Sequence, residues 1–325
     1  MSRIDIKKMP KVELHCHLDG SMPLALVQEL SGDMAITNDD LQVTDDCPSL
    51  AKYLEKFRLP IQCLQTEAGL RRASYTLIQE AAAENVQYIE VRFAPMLSAH
   101  EGLSLHSTIE SVIAGLDEGL REFGVYANVI VCAMRHISVE ENMAMAKVAR
   151  EFLGSGVCAL DLAGDEAAYK TWEFSQLFVQ AHNWDMPFTI HSGETGSLAN
   201  VKTALELGAK RIGHGIALYQ DEELIARYAH HGVGIEMCPT SNLQTKAIDS
   251  WNDYPLLRFV EQGLKVSVNT DNRIVSNTTL TKEFEKVYES CEYDGTIIRQ
   301  LQVNAIETSF ASDEIKHKLL RQLGR

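Results

Sequence analysis

The chain has 325 residues, 45% of them hydrophobic, which is enough to bury the core of one barrel-type domain or of two smaller ones. Asp and Glu number 45 against 30 Lys and Arg, so the net charge of −15 repels a phosphate backbone and excludes nucleic acid as an expected partner. The sequence has no long apolar run, no signal-peptide pattern and seven scattered cysteines without Cys-x-x-Cys spacing, so we expect a cytoplasmic protein with reduced thiols and no membrane contact.

Short apolar runs alternate with longer amphipathic stretches along the chain. The runs predicted as strands are Val12–His17, Val86–Phe93, Ala127–Met134, Val157–Leu162, Pro187–His191, Arg211–His214, Gly232–Met237 and Lys265–Asn269. The stretches predicted as helices are Leu70–Glu84, Leu105–Phe123, Val139–Leu153, Glu173–His182, Leu198–Leu207 and Asp221–Tyr228. This alternation indicates parallel βαβ units, and eight such units close into a (β/α)8 barrel.

Two segments fall outside the repeat. Residues 33–68 follow the first strand, carry a helical pattern over Leu50–Leu59, and are expected to lie at the mouth of the barrel. The apolar side chains there form either a mobile roof over that mouth or a face that only packs on the barrel; they are Tyr53, Leu54, Phe57 and Leu59. Residues 281–325 are predicted to form two or three helices that complete the outer ring.

We interpret residues 1–325 as a single domain with this barrel fold. The alternative is an open doubly wound sheet. It is disfavoured because no G-x-G-x-x-G follows any predicted strand and no G-x-x-x-x-G-K-[ST] occurs in the chain.

Residues with metal-binding or acid–base chemistry lie at the ends of the predicted strands. His15 and His17 are two apart in the first strand, so their side chains point to the same face. The others follow the fourth, fifth, sixth and eighth strands, and they are Gly164, His191, Glu194, His214 and Asp271. Because the carboxyl ends of barrel strands share one mouth, residues far apart in the sequence are expected to meet there.

Three histidines and one aspartate suit a borderline metal such as zinc, which leaves Glu194 and His214 as acid–base groups beside a water molecule. Such an arrangement indicates metal-assisted hydrolysis. Each residue also has a structural interpretation on its own: Asp271 as a helix N-cap, Glu194 as a solvated carboxylate, His214 as a core histidine and Gly164 as a turn residue. Their joint placement favours the functional interpretation.

With these motifs the chain resembles the adenosine deaminases over nearly its whole length. Five motifs occur in the family's order, from Pro10-Lys11-Val12-Glu13-Leu14-His15-Cys16-His17-Leu18-Asp19-Gly20-Ser21 to Asn269-Thr270-Asp271-Asn272. The resemblance implies one Zn²⁺ per chain, held by His15, His17, His191 and Asp271. It also implies that Glu194 protonates purine N1 and that His214 orients or deprotonates the water.

The resemblance further implies a purine nucleoside as the small-molecule partner, contacted by His17, Asp19, Gly164 and Asn272. Gly164 would bind N3 through its backbone N–H, and Asp19 would lie near the ribose 5′-hydroxyl. The chain departs from the family where many members have a second aspartate facing N7, since it has Asn272. An amide NH2 donates to N7 at neutral pH, so Asn272 is compatible with adenine recognition. The alternative is that Asn272 bonds only its own turn.

The resemblance thus implies zinc-dependent deamination of adenosine, and of 2′-deoxyadenosine, to inosine and ammonia in purine salvage. The alternatives are deamination of adenine, 5′-methylthioadenosine or aminofutalosine, a two-metal amidohydrolase, and an inactive barrel that only binds a ligand. Asp19 favours a nucleoside because adenine-specific relatives tend to carry glutamate there. The two-metal amidohydrolase is disfavoured because Leu162-Ala163-Gly164 lacks the lysine that bridges two metals. The inactive barrel is disfavoured because none of the expected metal ligands is missing and Glu194 is present. The sequence assigns no oligomeric state and no role to residues 273–278.

Overall fold

A computed structural model of the chain describes residues 4–99 and 102–324. Within these residues the strands are β1 Lys11–His17, β2 Val86–Phe93, β3 Tyr126–Met134, β4 Val157–Ala163, β5 Thr189–Ser192, β6 Arg211–His214, β7 Gly234–Met237 and β8 Lys265–Val268. Every strand predicted from the sequence is present, so the alternating pattern is confirmed.

The strands form one closed parallel barrel. β1 to β4 pair in chain order, as do β5 to β8. The two groups join at Leu160, whose N–H donates to Pro187 O at 2.9 Å, and at Asp271, whose N–H donates to His15 O at 2.9 Å. Because β8 is thereby a neighbour of β1, the fold is a (β/α)8 barrel and the open doubly wound sheet is excluded.

Helices surround the barrel. They are α1 Leu24–Ser31, α2 Asn38–Leu41, α3 Leu50–Leu54, α4 Arg58–Cys63, α5 Glu67–Ala83, α6 Leu105–Phe123, α7 Val139–Glu151, α8 Ser175–Asn183, α9 Leu198–Glu206, α10 Glu222–His231, α11 Pro239–Gln244, α12 Leu256–Glu261, α13 Leu280–Ser290, α14 Gly295–Thr308 and α15 Asp313–Gln322. Helices α5 to α10 correspond to the six predicted helices, and α13 to α15 to the predicted tail. None of the helices in the described part of the chain has the length and apolar character that a bilayer crossing requires.

The largest differences from the predicted boundaries have local causes. Helix α5 begins three residues early because Thr66 caps it, its hydroxyl accepting the Gly69 N–H at 3.0 Å. Strand β7 begins late because Gly232 ends α10 in the left-handed conformation, with φ +65°. The predicted Leu50–Leu59 helix is divided into α3, a 3-10 turn over Glu55–Phe57 and the start of α4.

The segment between β1 and α5 packs on the loop that follows β8. Tyr53 of α3 is 1% exposed, and its hydroxyl lies 2.6 Å from Ser276 Oγ. The Val43 N–H donates to Val275 O at 2.9 Å. These contacts place α3 and the adjoining turn at the mouth of the barrel, over the carboxyl ends of the strands.

Candidate active site

A pocket of about 360 Å³ opens at the carboxyl ends of the strands. The predicted site residues that line it are His17, Asp19, Gly164, His191, Glu194, His214, Asp271 and Asn272. Its outer wall includes Tyr53 and Phe57 from the segment after β1. A larger, open groove between α5 and α6 has surface ion pairs such as Arg71–Glu118 along it and none of the predicted site residues.

Four predicted ligand residues converge at the bottom of the pocket. One nitrogen or oxygen atom from each of His15, His17, His191 and Asp271 lies within 4.8 Å of the other three. Asp271 Oδ1 is 3.2 Å from His15 Nε2 and 3.4 Å from His17 Nε2. His17 Nε2 is 3.1 Å from His191 Nε2. The ends of β1 and β5 and the loop that follows β8 therefore deliver three imidazoles and a carboxylate to one point.

Two of the three histidines are in the protonation state that a cation requires. Burial lowers the pKa of His17 well below its usual value and also lowers the pKa of His191, so both rings are neutral at pH 7. Burial raises the pKa of Asp271, but its close contact with His15 outweighs burial, and the pKa lies well below its usual range. His15 Nε2 is buried and has no hydrogen-bond partner among the described residues. An unpaired nitrogen, two neutral imidazoles and a carboxylate are the donor set of a borderline divalent metal.

Two further carboxylates contact two histidines of this cluster. Glu236 Oε2 lies 2.8 Å from His15 Nδ1, and Asp161 Oδ2 lies 2.9 Å from His191 Nδ1. Each Nδ1–H donates to its carboxylate, so each Nε2 presents a lone pair to the centre of the cluster. The sequence analysis missed both acids. The available signal was a carboxylate inside an otherwise apolar strand, as in Ala159-Leu160-Asp161-Leu162.

Glu194 lies beside this cluster as a buried carboxyl group. Burial, followed by the charges of Asp271 and Glu166, raises its pKa to about 8. At neutral pH Glu194 is therefore mostly protonated and able to donate a proton.

The loop that carries Glu194 is held in place by Glu166. The Glu166 carboxylate accepts the backbone N–H groups of Gly193 at 2.6 Å, Glu194 at 2.9 Å and Thr195 at 3.1 Å.

Glu166 is a functional residue that the sequence analysis did not identify. It is 1% exposed, and it also accepts a hydrogen bond from Asn200 Nδ2 at 3.0 Å. Its position after β4, in Gly164-Asp165-Glu166, is the signal that was available, because the other site residues also follow strand ends.

His214 completes the acid–base group. Its Nε2 lies 3.6 Å from Glu194 Oε2, and burial lowers its pKa well below the usual value, so the ring is neutral. His214 and Asp271 both have left-handed backbones, with φ of +63° and +60°. Non-glycine residues rarely adopt this conformation, and such residues cluster at functional sites.

The remaining predicted residues line the upper pocket. Burial raises the pKa of Asp19 to about 6. Gly164 has φ +102°, a conformation that favours glycine and exposes its backbone to the pocket. Asn272 is 3% exposed and lies against Gly20, where an added Cβ would be 1.9 Å from Asn272 Oδ1. His136, which the sequence analysis missed, contributes an exposed imidazole to the pocket edge.

A (β/α)8 barrel with three imidazoles, a carboxylate and a buried carboxylic acid at its mouth defines a metal-dependent hydrolase. Comparison with known sequences identifies the family of hydrolases to which the chain belongs. The family profile described as adenosine deaminase matches residues 10–325, and the chain belongs to that family. It is therefore an enzyme of the hydrolytic deaminase type, and the resemblance seen in the sequence is confirmed.

Individual relatives cover the full length of the chain. The adenosine deaminase of Clostridium perfringens is 37% identical over 97% of this chain and 98% of its own length. That of Enterococcus faecalis is 40% identical over 99% of this chain and 98% of its own. The solved structure of an adenine deaminase from Arthrobacter aurescens is 25% identical, with a TM-score of 0.88 over 97% of this chain and 98% of that one.

Proposed function

We propose that the protein hydrolyses adenosine, and also 2′-deoxyadenosine, to inosine and ammonia. The observation that carries this proposal is the buried carboxyl group of Glu194 beside the cluster of three histidines and Asp271 in one pocket. The names of the relatives that are 37% and 40% identical to the chain support adenosine as the substrate.

We propose that His15, His17, His191 and Asp271 hold one Zn²⁺ per chain. Their donor set and the unpaired His15 Nε2 support zinc over a hard cation, which prefers oxygen ligands. A zinc ion bound there supplies a positive charge that lowers the pKa of a water molecule and makes it nucleophilic near neutral pH.

The side chains around the cluster then perform the proton chemistry. Glu194 donates its proton to purine N1, which withdraws electrons from C6 and makes that carbon electrophilic. The buried, neutral ring of His214 orients the water towards C6. One proton of the water goes to the amino nitrogen, which leaves as ammonia, and the other returns to Glu194 as the carbonyl of inosine forms. The raised pKa of Glu194 supports this role because the group has to be neutral before it can donate near pH 7.

The upper pocket provides the groups for binding a nucleoside. We propose that the Gly164 N–H donates to purine N3, the Asn272 NH2 donates to N7, and Asp19 accepts from the ribose 5′-hydroxyl. His17 contributes to both the ligand cluster and the pocket wall. Asp19 supports a nucleoside over free adenine because its carboxyl lines the pocket and can accept from a ribose hydroxyl, a group that the base alone lacks. The odd number of cysteines supports a reducing compartment, which we propose to be the cytoplasm.

An absorbance assay with adenosine, 2′-deoxyadenosine, adenine and AMP, run in parallel, tests the substrate assignment. We expect the two nucleosides to react with the highest kcat/KM. The Asp19→Ala variant is the matched probe: it should lose its preference for adenosine over 5′-deoxyadenosine, which lacks the hydroxyl, while the parent keeps it. Turnover of adenine alone would instead support the base deaminase alternative.

Elemental analysis of the purified protein tests the metal. We expect one equivalent of zinc per chain. Two equivalents, or an active protein that contains none, would contradict the proposed single-zinc site.

A further inference from the structure

Asn242 of α11 lies behind His214, on the side away from the pocket, and is fully buried. Its Oδ1 accepts the backbone N–H of Cys238 at 3.3 Å and the hydroxyl of Tyr254 at 2.9 Å. Its Nδ2 lies 2.9 Å from His214 Nδ1. The amide therefore connects the His214 ring to the backbone at the end of β7.

The Cys238 contact fixes which end of the amide faces His214. A backbone N–H can only donate, so the atom that it meets on Asn242 has to be the carbonyl oxygen. The NH2 group then faces His214 Nδ1. An amide NH2 has no acceptor, so Nδ1 has to accept with its lone pair. In a neutral imidazole with an unprotonated Nδ1, the proton is on Nε2.

We propose that Asn242 is a positioning residue that fixes His214 as the Nε2–H tautomer, so that the ring presents a hydrogen-bond donor to the reacting oxygen. The Nε2 atom is the one on the side of Glu194, 3.6 Å from its Oε2. In this tautomer Nε2 has no lone pair for a proton. His214 therefore donates to the attacking oxygen and orients it, and it does not remove the oxygen's proton. This inference depends on the proposed function for the identity of that oxygen, but the tautomer itself does not.

Nitrogen-15 NMR of the zinc-loaded, histidine-labelled protein tests the tautomer directly. A matched spectrum of the His214→Gln protein identifies the two signals of His214. We expect a pyridine-like Nδ1 and a pyrrole-like Nε2 in the absence of any substrate. The reverse pattern would overturn the proposal, whatever the substrate of the enzyme proves to be.

The Asn242→Asp variant tests the consequence. A carboxylate keeps an acceptor for Cys238 and Tyr254 but also accepts at His214, so Nδ1 should become the protonated nitrogen and Nε2 the unprotonated one. We expect kcat to fall about a hundredfold, the usual effect of losing one oriented donor. The KM should stay within about threefold, since His214 is expected to act after the substrate is bound.

The Tyr254→Phe variant is the control. It removes one hydrogen bond to Asn242 Oδ1 and leaves the contact between Nδ2 and His214. We expect an unchanged tautomer, an unchanged zinc content and a kcat within about threefold of the parent. If Asn242→Asp kept the Nε2–H tautomer, or if it reversed the tautomer without lowering kcat, Asn242 would have no positioning role.

Discussion

Two clusters of buried polar side chains lie inside the barrel, one at the pocket and one below it, and they differ in how completely their members are paired. The lower cluster, which we name the ion-pair network, consists of Glu90, Arg92, Asp161, Arg211 and Glu236, all with fully buried side chains. Arg92 bonds Asp161 and Glu236 at 2.8 Å each, and Arg211 bonds Glu236 at 2.5 Å and also Glu90. Each charge there has an opposite charge in direct contact, although Arg92 Nε has no hydrogen-bond partner among the described residues.

The pocket cluster is incompletely paired. His15 Nε2 and Asn272 Oδ1 have no hydrogen-bond partner among the described residues. Burial keeps the ring of His214 neutral and raises the pKa of Glu194 to about 8. Two of its residues, His214 and Asp271, have left-handed backbones. Unpaired polar atoms and shifted pKa values cost stability, and they are typical of places where a ligand completes the structure.

Two carboxylates belong to both clusters. Asp161 and Glu236 each bond Arg92 and also contact a histidine of the proposed metal site. The two regions therefore have different roles. The ion-pair network fixes the positions of His15 and His191 through their Nδ1 atoms, and the pocket leaves their Nε2 atoms available. Loss of a pocket residue should affect chemistry, whereas loss of a network residue should affect stability.

The largest expected effect is at the pocket. His17→Ala should lose most of its zinc and reduce activity to background, because one of the four proposed ligands is removed from a site shaped for all four. His17 is a more direct probe than His15 or His191, since those two are bonded to the ion-pair network. The measurements are zinc content and kcat/KM, with His106→Ala, an exposed histidine of α6, as the control. Full activity in the His17→Ala protein would contradict the ligand assignment.

The next largest effect should appear in the network, as stability. Arg211→Met leaves Glu90 and Glu236 without that partner, and removing one member of a buried ion pair costs about 3–5 kcal/mol. The free energy of unfolding in urea measures this loss. Arg71→Met is the matched control, because Arg71 and its partner Glu118 are partly exposed and such a pair contributes less than about 1 kcal/mol. Equal losses for the two variants would show that the network has no special structural role.

Glu194→Gln tests the acid at the pocket. The amide cannot give a proton to N1, so kcat should fall at least about a hundredfold while zinc remains bound. In the parent enzyme the active form of Glu194 is protonated, so activity should be retained below a pH of about 8 and decline as the pH rises through that value. The variant should lack this decline. A variant within a few-fold of the parent would exclude Glu194 as the acid.

The sequence predicted the pocket better than the ion-pair network, for a physical reason. His15, His17, His191 and Asp271 follow apolar runs, and the closure of a parallel barrel brings the ends of such runs to one mouth. Arg211 and its partners lie within or at the start of those runs, where they were counted as parts of buried strands. Their pairing depends on the strand register around the barrel, which no local pattern contains.

Two contacts that support the pocket could not be predicted from the sequence either. Glu166 accepts three backbone N–H groups of residues 193–195, and Asn242 meets His214 28 residues away. Apolar periodicity describes neither contact, because the first depends on loop conformation and the second on how α11 packs against the end of β6. The start of α5 was predicted three residues late, at Leu70. Periodicity locates the first apolar residue of a helix, whereas the Thr66 cap determines where the helix begins.

The smallest predicted effect concerns Asn272, whose carbonyl end is unpaired and lies over Gly20. If its NH2 donates to purine N7, then 7-deazaadenosine, with a C–H in that place, leaves the donor without a partner in a buried site. The parent enzyme should discriminate against this analogue by about 1–3 kcal/mol, or about ten- to a hundredfold in kcat/KM. Asn272→Ala should hardly discriminate, because its donor is already absent.

Gly20→Ala sharpens this comparison without removing the amide. Gly20 has no left-handed backbone, so alanine is compatible with its conformation, but the new methyl group would lie 1.9 Å from Asn272 Oδ1. The side chain of Asn272 has to move, and discrimination against 7-deazaadenosine should fall towards that of Asn272→Ala, while the zinc content stays at one equivalent. Equal discrimination by the parent and both variants would mean that another group faces N7 and that Asn272 serves only its own turn. Loss of discrimination in both would identify Gly20 as the residue that keeps the Asn272 donor directed at the substrate.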